Sequence, residues 1–188
     1  MEASAFVSEI IDRHIKNEGL KRLLISHSRM VGLKALETAR ECGLDGEIDR
    51  QFLFDAAMLH DIGVVECDAP GIHCFGSRPY ICHGIEGAEL LRKEGIGEKY
   101  QRVCERHTGS GLTADEVREH GLPLPVRDYL PETLEEKLIC YADKFYSKSR
   151  DPLAEKSMER VEASMARHGE GALKRFRELH RLFTPTKQ

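Results

Sequence analysis

The 188-residue sequence has no tryptophan and only seven phenylalanines and five tyrosines, so no base-stacking aromatic stands out to identify a ligand. It also has no excess of basic charge. With a net charge of −4 and a pI near 6.2 it lacks the basic face that extended nucleic-acid binding requires. A local basic pocket for a phosphorylated small molecule remains compatible with that balance. No segment approaches the roughly 20 apolar residues needed to span a bilayer, so no membrane partner is expected. The opening residues, MEASAFVSEIIDRH, lack the basic and apolar regions of a signal peptide, and a cytoplasmic address is the expectation. Internal repeats, low-complexity tracts and strand-like alternation are missing as well. The six cysteines (42, 67, 74, 82, 104, 140) include no Cys-x-x-Cys pair. Cys42, Cys104 and Cys140 fall within helical patterns and read as small core residues. Cys67, Cys74 and Cys82 share a loop with His73, where reduced, structurally incidental thiols are expected.

What is present is helical periodicity nearly throughout. A chain of this length is expected to form one domain over 1–188, burying roughly 70% of its unfolded surface. Phe6, Val7, Ile10, Ile11, His14 and Ile15 form an apolar stripe, predicting a helix within 2–17. Leu20, Leu24, His27, Val31, Ala35, Thr38 and Cys42 predict another, stopped at Gly43. A third covers Ile48 to His60, with Leu53, Ala56, Ala57 and His60 on one side. The segment Val64 to Cys82, with Pro70, Gly71, Gly76 and Pro79, reads as a long loop of the functional kind. Further helices are predicted from His83, through Tyr100–His107, over a short 113–120 stretch, and after a capping box at Thr133 and Glu136. Residues 152–183 read as two amphipathic helices broken at Gly169-Glu170-Gly171. The expected fold is all-α, a bundle of about seven to nine helices with its core over 20–147. The last two helices would cap that core or build a homodimer interface.

Six residues carry the chemistry: His27, the adjacent pair His60-Asp61, His83, His107 and Asp143. Each falls on or beside the apolar stripe of a predicted helix, where an unpartnered polar group is costly. A single histidine in such a place ordinarily bonds a backbone carbonyl and fills space. Here the coincidence recurs four times, with two carboxylates in similar settings, and one shared metal centre accommodates them all. Four imidazoles and two carboxylates suit iron, manganese, nickel or zinc. Six protein ligands exceed the three or so of an open catalytic ion, whereas two ions bridged by Asp61 and a hydroxide would use all of them. Two ions about 3.5–4 Å apart are a standard device for attacking a phosphoryl group.

At these residues the chain resembles the HD superfamily of metal-dependent phosphohydrolases. The likeness runs from His27-Ser28, through His60-Asp61-Ile62-Gly63, to Ala142-Asp143-Lys144, and is extended by His83-Gly84 and His107-Thr108. Its wording is similar to an uncharacterised bacterial and archaeal HDIG family and to HD-type hydrolases of diadenosine tetraphosphate. The resemblance implies that His27, His60, Asp61 and Asp143 hold one metal, and that Asp61 bridges to a second held by His83 and His107. The nucleophile would be a bridging hydroxide, with Asp61 and Lys144 in catalytic roles. Ser28, Arg78, Arg106, Thr108 and Arg150 are candidate substrate contacts. Val64, Val65 and Glu66 follow the H-D-I-G, without the lysine of the HD-GYP cyclic-dinucleotide phosphodiesterases, and the G-Y-P sequence is missing. Cyclic-di-GMP hydrolysis is therefore set aside. His14, His73, His120, His168 and His180 are expected to be structural or solvated.

The leading expectation is a phosphohydrolase acting on a nucleotide or other small phosphate ester. The same ligand set resembles that of HD-type di-iron oxygenases, and a non-catalytic metal- or ligand-binding sensor is the third reading.

Overall fold

Asn17 opens the longest helix by accepting a hydrogen bond from the Leu20 amide at 3.0 Å, which satisfies one of the free donors of the first turn. In this computed structural model, which describes residues 1–148 and 151–185, that helix is α2 (Glu18–Glu41), preceded by α1 (Ala5–His14). It ends where Gly43 takes a positive φ of 73° and the Leu44 amide bonds back to the Ala39 carbonyl. Asp49 caps α3 (Arg50–Leu59) in the same manner as Asn17 caps α2. Then follow α4 (His83–Lys93), α5 (Glu98–Arg106), α6 (Ala114–Glu119) and α7 (Leu134–Asp143). Both α6 and α7 begin with a reciprocal capping box, Thr113 with Glu116 and Thr133 with Glu136. The hairpin of α8 (Met158–Arg167) and α9 (Glu170–Leu182) completes the fold. The architecture is all-α, as expected, with nine α-helices among the described residues.

Two corrections concern local structure. The segment expected to be one loop, Val64 to Cys82, holds 3₁₀ turns at Ile62–Glu66, Pro70–Ile72 and Tyr80–Cys82. Between them lies a small antiparallel hairpin, β1 (Asp68–Ala69) with β2 (Cys74–Phe75), whose two-residue strands are too short to show alternation. Residues 152–157 are not helical. Ser157 caps α8 by accepting from the Arg160 amide, and the chain before it is held by the Lys156 amide on the Phe145 carbonyl.

One apolar cluster joins α2, α3, α7, α8 and α9 around Phe54, Leu53, Leu138, Ile139 and Phe176, all essentially fully buried. Burial of each such side chain contributes about 1.5–3 kcal/mol. A second cluster packs α1 and the start of α2 against α4 and the 3₁₀ turn after α3. His27 lies on α2 between Leu24 of the second cluster and Val31 of the first, and His60 follows Leu59 of the second. Close approach there depends on missing side chains. A Cβ on Gly63 would stand 2.2 Å from the His83 carbonyl oxygen and the Gly87 nitrogen, and one on Gly84 would stand 2.6 Å from the Cys104 carbonyl oxygen. The turn carrying Gly63, α4 and α5 are thereby pressed backbone to backbone.

Candidate metal centre

Only His27 comes from mid-helix, on the buried stripe of α2 formed by Leu20, Leu24, Val31 and Ala35. The other five residues sit at helix ends. His60 and Asp61 follow α3, His83 is the first residue of α4, His107 closes α5 and Asp143 is the last residue of α7. All six are at most 8% exposed.

Three of the histidines are oriented by their own turn. Nδ1 of His60, His83 and His107 lies 2.6, 2.7 and 2.8 Å from the carbonyl oxygen three residues earlier, of Ala57, Tyr80 and Cys104 respectively. A carbonyl can only accept, so each Nδ1 carries a proton, and in the neutral ring Nε2 is left as a lone-pair donor.

Those Nε2 atoms and the two carboxylates form two groups. In the first, Asp61 Oδ2 is 3.3 Å from His27 Nε2 and 3.0 Å from His60 Nε2, and Asp143 Oδ1 is 3.0 and 3.5 Å from the same two nitrogens. In the second, Asp61 Oδ1 is 3.5 Å from His83 Nε2 and 3.3 Å from His107 Nε2, and those nitrogens are 3.0 Å apart. Donors bonded to one ion at about 2.1 Å are separated by about 3.0 Å at right angles and about 3.4 Å at tetrahedral angles. Both groups have that spacing and share Asp61. His60 Nε2 and both Asp61 oxygens are buried without a well-directed hydrogen bond, a costly state that a cation relieves. The donor set thus fits one metal ion in each group.

Charge in the cluster follows from burial and proximity. Burial disfavours ionised Asp61, but His60 and Lys148 outweigh it and hold the carboxyl well below the usual range. For Asp143 the same opposition is won by Lys144 and the bonds from His27 and His60. Burial would lower the His60 imidazolium, yet Asp61 and Asp143 raise its pKa to about 9. For His83, burial and then His107 depress it to about 3.

A cavity of about 520 Å³ opens beside the cluster, in the range of small-molecule sites. His83, His107, Asp143, Lys144 and Lys148 line one end, and the Gly109-Ser110-Gly111 segment forms part of its wall. Ser110 ties that segment to α9 by donating to the Ala172 carbonyl at 2.7 Å. Thr108 lines the cavity as well, whereas Ser28 is buried beside His27 on α2. Lys144 reaches Asp143 Oδ2 at 2.6 Å and donates to the His107 carbonyl at 3.0 Å, bracing two donors from behind. Arg78 and Arg106 do not line it. Arg78 binds Glu86 at 2.7 Å, and Arg106 is held by Glu132, Glu136 and the Leu130 carbonyl. Arg150 lies outside the described residues. His73 packs against Gly19 on α2 and joins no metal-donor group among the described residues. Cys67, Cys74 and Cys82 are buried thiols and join no metal-donor group among the described residues.

Sequence reasoning missed Lys148, whose ammonium lies 2.8 Å from Asp61 Oδ2 at the cavity end. It follows α7 in a stretch without helical period, so only its closeness in sequence to Asp143 pointed to it.

The description HD domain belongs to the family whose profile matches residues 24–147. A tRNA (cytidine(56)-2′-O)-methyltransferase of Picrophilus torridus is 38% identical over 136 residues, 72% of this chain and 35% of that protein. An uncharacterized protein of Methanocaldococcus jannaschii is 39% identical over 122 residues, 64% of each chain. The chain thus spans about a third of the first relative's length and just under two thirds of the second's. Among solved structures, the HD domain of the L. monocytogenes phosphodiesterase PgpH superposes with a TM-score of 0.54 at 14% identity, covering 94% of this chain and 95% of that one. The same domain in complex with cyclic-di-AMP gives 0.54 at 15%, covering 96% and 99%. These two structures share the fold. No helix among the described residues is long and apolar enough to cross a membrane.

Proposed function

The chain belongs to the HD domain family, and from that premise we propose that it is a metal-dependent phosphohydrolase acting on a nucleotide or other small phosphate ester at a dinuclear centre. The observation that carries this reading is the pair of buried donor groups sharing Asp61 at the end of a ligand-sized cavity. Metal ions held there would activate water for attack at neutral pH and neutralise phosphoryl charge.

The chain's own residues do the rest. His60, His83 and His107 present Nε2 to the site because their Nδ1 atoms are fixed by helix-end carbonyls. Lys144 holds Asp143 in place and links it to the His107 backbone. Lys148, on the cavity side of Asp61, is placed to meet an incoming phosphoryl oxygen. Tyr80 stacks on His83 with ring centroids 4.8 Å apart and shields that ligand from solvent. Burial pushes the Tyr80 phenol up to about 12, so it stays protonated and can only donate from its hydroxyl hydrogen or accept weakly.

The methylation named for the Picrophilus relative is not carried over, since the chain spans about a third of that protein. Elemental analysis of protein purified without chelator, paired with phosphate release under manganese, nickel, iron and zinc, tests the reading. About two ions per chain and turnover of a nucleotide or simple ester are expected. Metal-loaded protein that releases no phosphate yet consumes oxygen would replace hydrolysis with oxygenase chemistry.

A further inference from the structure

The cavity is lined by more than the metal centre. Its wall includes Arg167 and His168, from the turn between α8 and α9, and His120, which closes α6. The α8–α9 hairpin lies outside residues 24–147, the segment matched to the family.

Charge on the lining is nearly all committed. Lys144 is paired with Asp143 at 2.6 Å and Lys148 with Asp61 at 2.8 Å. Arg175 is paired with Glu116 at 2.7 Å and also donates to the Gly111 carbonyl. Among the described lining residues, Arg167 is the cation left without a carboxylate, and the lining acids Asp143 and Glu116 are both already matched. Arg167, His120 and His168 are solvent-exposed, so their hydrogen-bonding groups are free for a ligand. The wall also carries the apolar side chains of Ile81, Leu112 and Leu122. The cavity therefore offers an unpaired cation at Arg167 besides the metal donors, with apolar wall for an uncharged body.

We propose that Arg167, assisted by His120 and His168, forms an anion subsite for a second charged group of the substrate. The substrate class is then a nucleotide with two separate phosphate groups, one for the metal donors and one for Arg167. This assignment rests on the phosphohydrolase reading for the first phosphate only. A guanidinium meets phosphate through paired, charge-assisted hydrogen bonds, which a mononucleotide bound at the metal end would leave unused.

Isothermal titration calorimetry of the metal-loaded full chain with adenosine 5′-monophosphate and adenosine 3′,5′-bisphosphate tests the subsite, with phosphate release followed in parallel. The bisphosphate is expected to bind about tenfold tighter, the size of one charge-assisted contact at an exposed position. Arg167→Gln brings the two affinities to within about twofold, and Arg167→Lys restores part of the difference. Arg181→Gln, exposed on α9 and off the cavity lining, keeps the full preference. Equal binding of the two nucleotides by the unaltered chain, or a preference that survives Arg167→Gln, overturns the subsite. A preference that depends on Arg167 without phosphate release from any ester upholds the subsite and removes the hydrolase reading. Phosphate release with no preference does the reverse.

Discussion

The ammonium of Lys148 stands 2.8 Å from Asp61 Oδ2, an oxygen of the carboxylate that the two donor groups share. Burial works against its charge, but Asp61, Tyr80 and Asp143 outweigh that cost and raise its pKa above the ordinary value. Lys148 is therefore a fixed positive charge on the cavity side of the centre. Replacing it with methionine removes the charge at similar length. Lys148→Met is expected to retain its metal ions and to lose about 10²-fold in turnover of a phosphate ester, the usual size of one lost electrostatic contact to the reacting group. Elemental analysis beside steady-state kinetics checks this. Loss of metal in step with activity would make Lys148 a support of the ligand shell instead.

The shared carboxylate predicts an asymmetry between substitutions. Asp61→Ala removes a donor from both groups and is expected to take bound metal from about two ions per chain to well below one. His83→Ala strips only the second group and leaves about one ion. Turnover falls by about 10³-fold or more in Asp61→Ala. Equal metal content in the two variants would show that Asp61 does not bridge.

Removing metal exposes opposed titrations. In the folded, metal-free chain His60 has a pKa of about 9 against an ordinary 6.5, burial being outweighed by Asp61 and Asp143. Between those values the folded state keeps a proton that the unfolded state releases, so stability falls as pH rises through the window. His83 lies at about 3, held down by burial and then by His107. Between about 3 and 6.5 the unfolded state takes up a proton that the folded state refuses, so stability falls as pH drops. Chelator-treated protein is thus expected to melt highest near pH 6.5, with the alkaline decline flattened once metal replaces the His60 proton. Melting temperatures from circular dichroism across pH decide it; a metal-free curve that is flat above 6.5 contradicts the His60 assignment.

Gly63 sits where the turn after His60-Asp61 meets α4, and a methyl group there would lie 2.2 Å from backbone atoms of His83 and Gly87. Backbone cannot move aside as a side chain does. Gly63→Ala is expected to destabilise the fold by about 3 kcal/mol, the upper end of the usual range for overpacking a close contact. Gly71→Ala, where an added Cβ meets nothing within 4 Å, serves as the control. Urea unfolding of both variants measures the difference, and near-equal midpoints would refute the packing argument.

Periodicity and capping residues made most helices readable in advance, including the boxes at Thr133 and Glu136 and the break at Gly169. The gathering of six polar residues was legible because each interrupts an apolar stripe or ends one. Arg78 and Arg106, expected to contact phosphate, do not line the cavity, because charge pairing is a tertiary property. Their partners, Glu86 for one and Glu132 with Glu136 for the other, come close only in the folded chain. Lys148 lies past the end of α7, where no period fixes direction. His120 reaches the cavity from the end of α6, and Arg167 and His168 reach it because the C-terminal hairpin docks beside it. Its Ala172 carbonyl receives the Ser110 hydroxyl, 62 positions away in sequence.

The Nδ1 bonds of His60, His83 and His107 reach back only three residues. Each ring therefore carries its aim with its own helix end, and docking the helices is enough to converge the lone pairs. An ion arriving at the folded chain meets no search among ring orientations or tautomers at these three positions. The speed of metal uptake is then governed by the path inward and by the departure of the His60 proton, and it will rise with pH without a slow rearrangement phase.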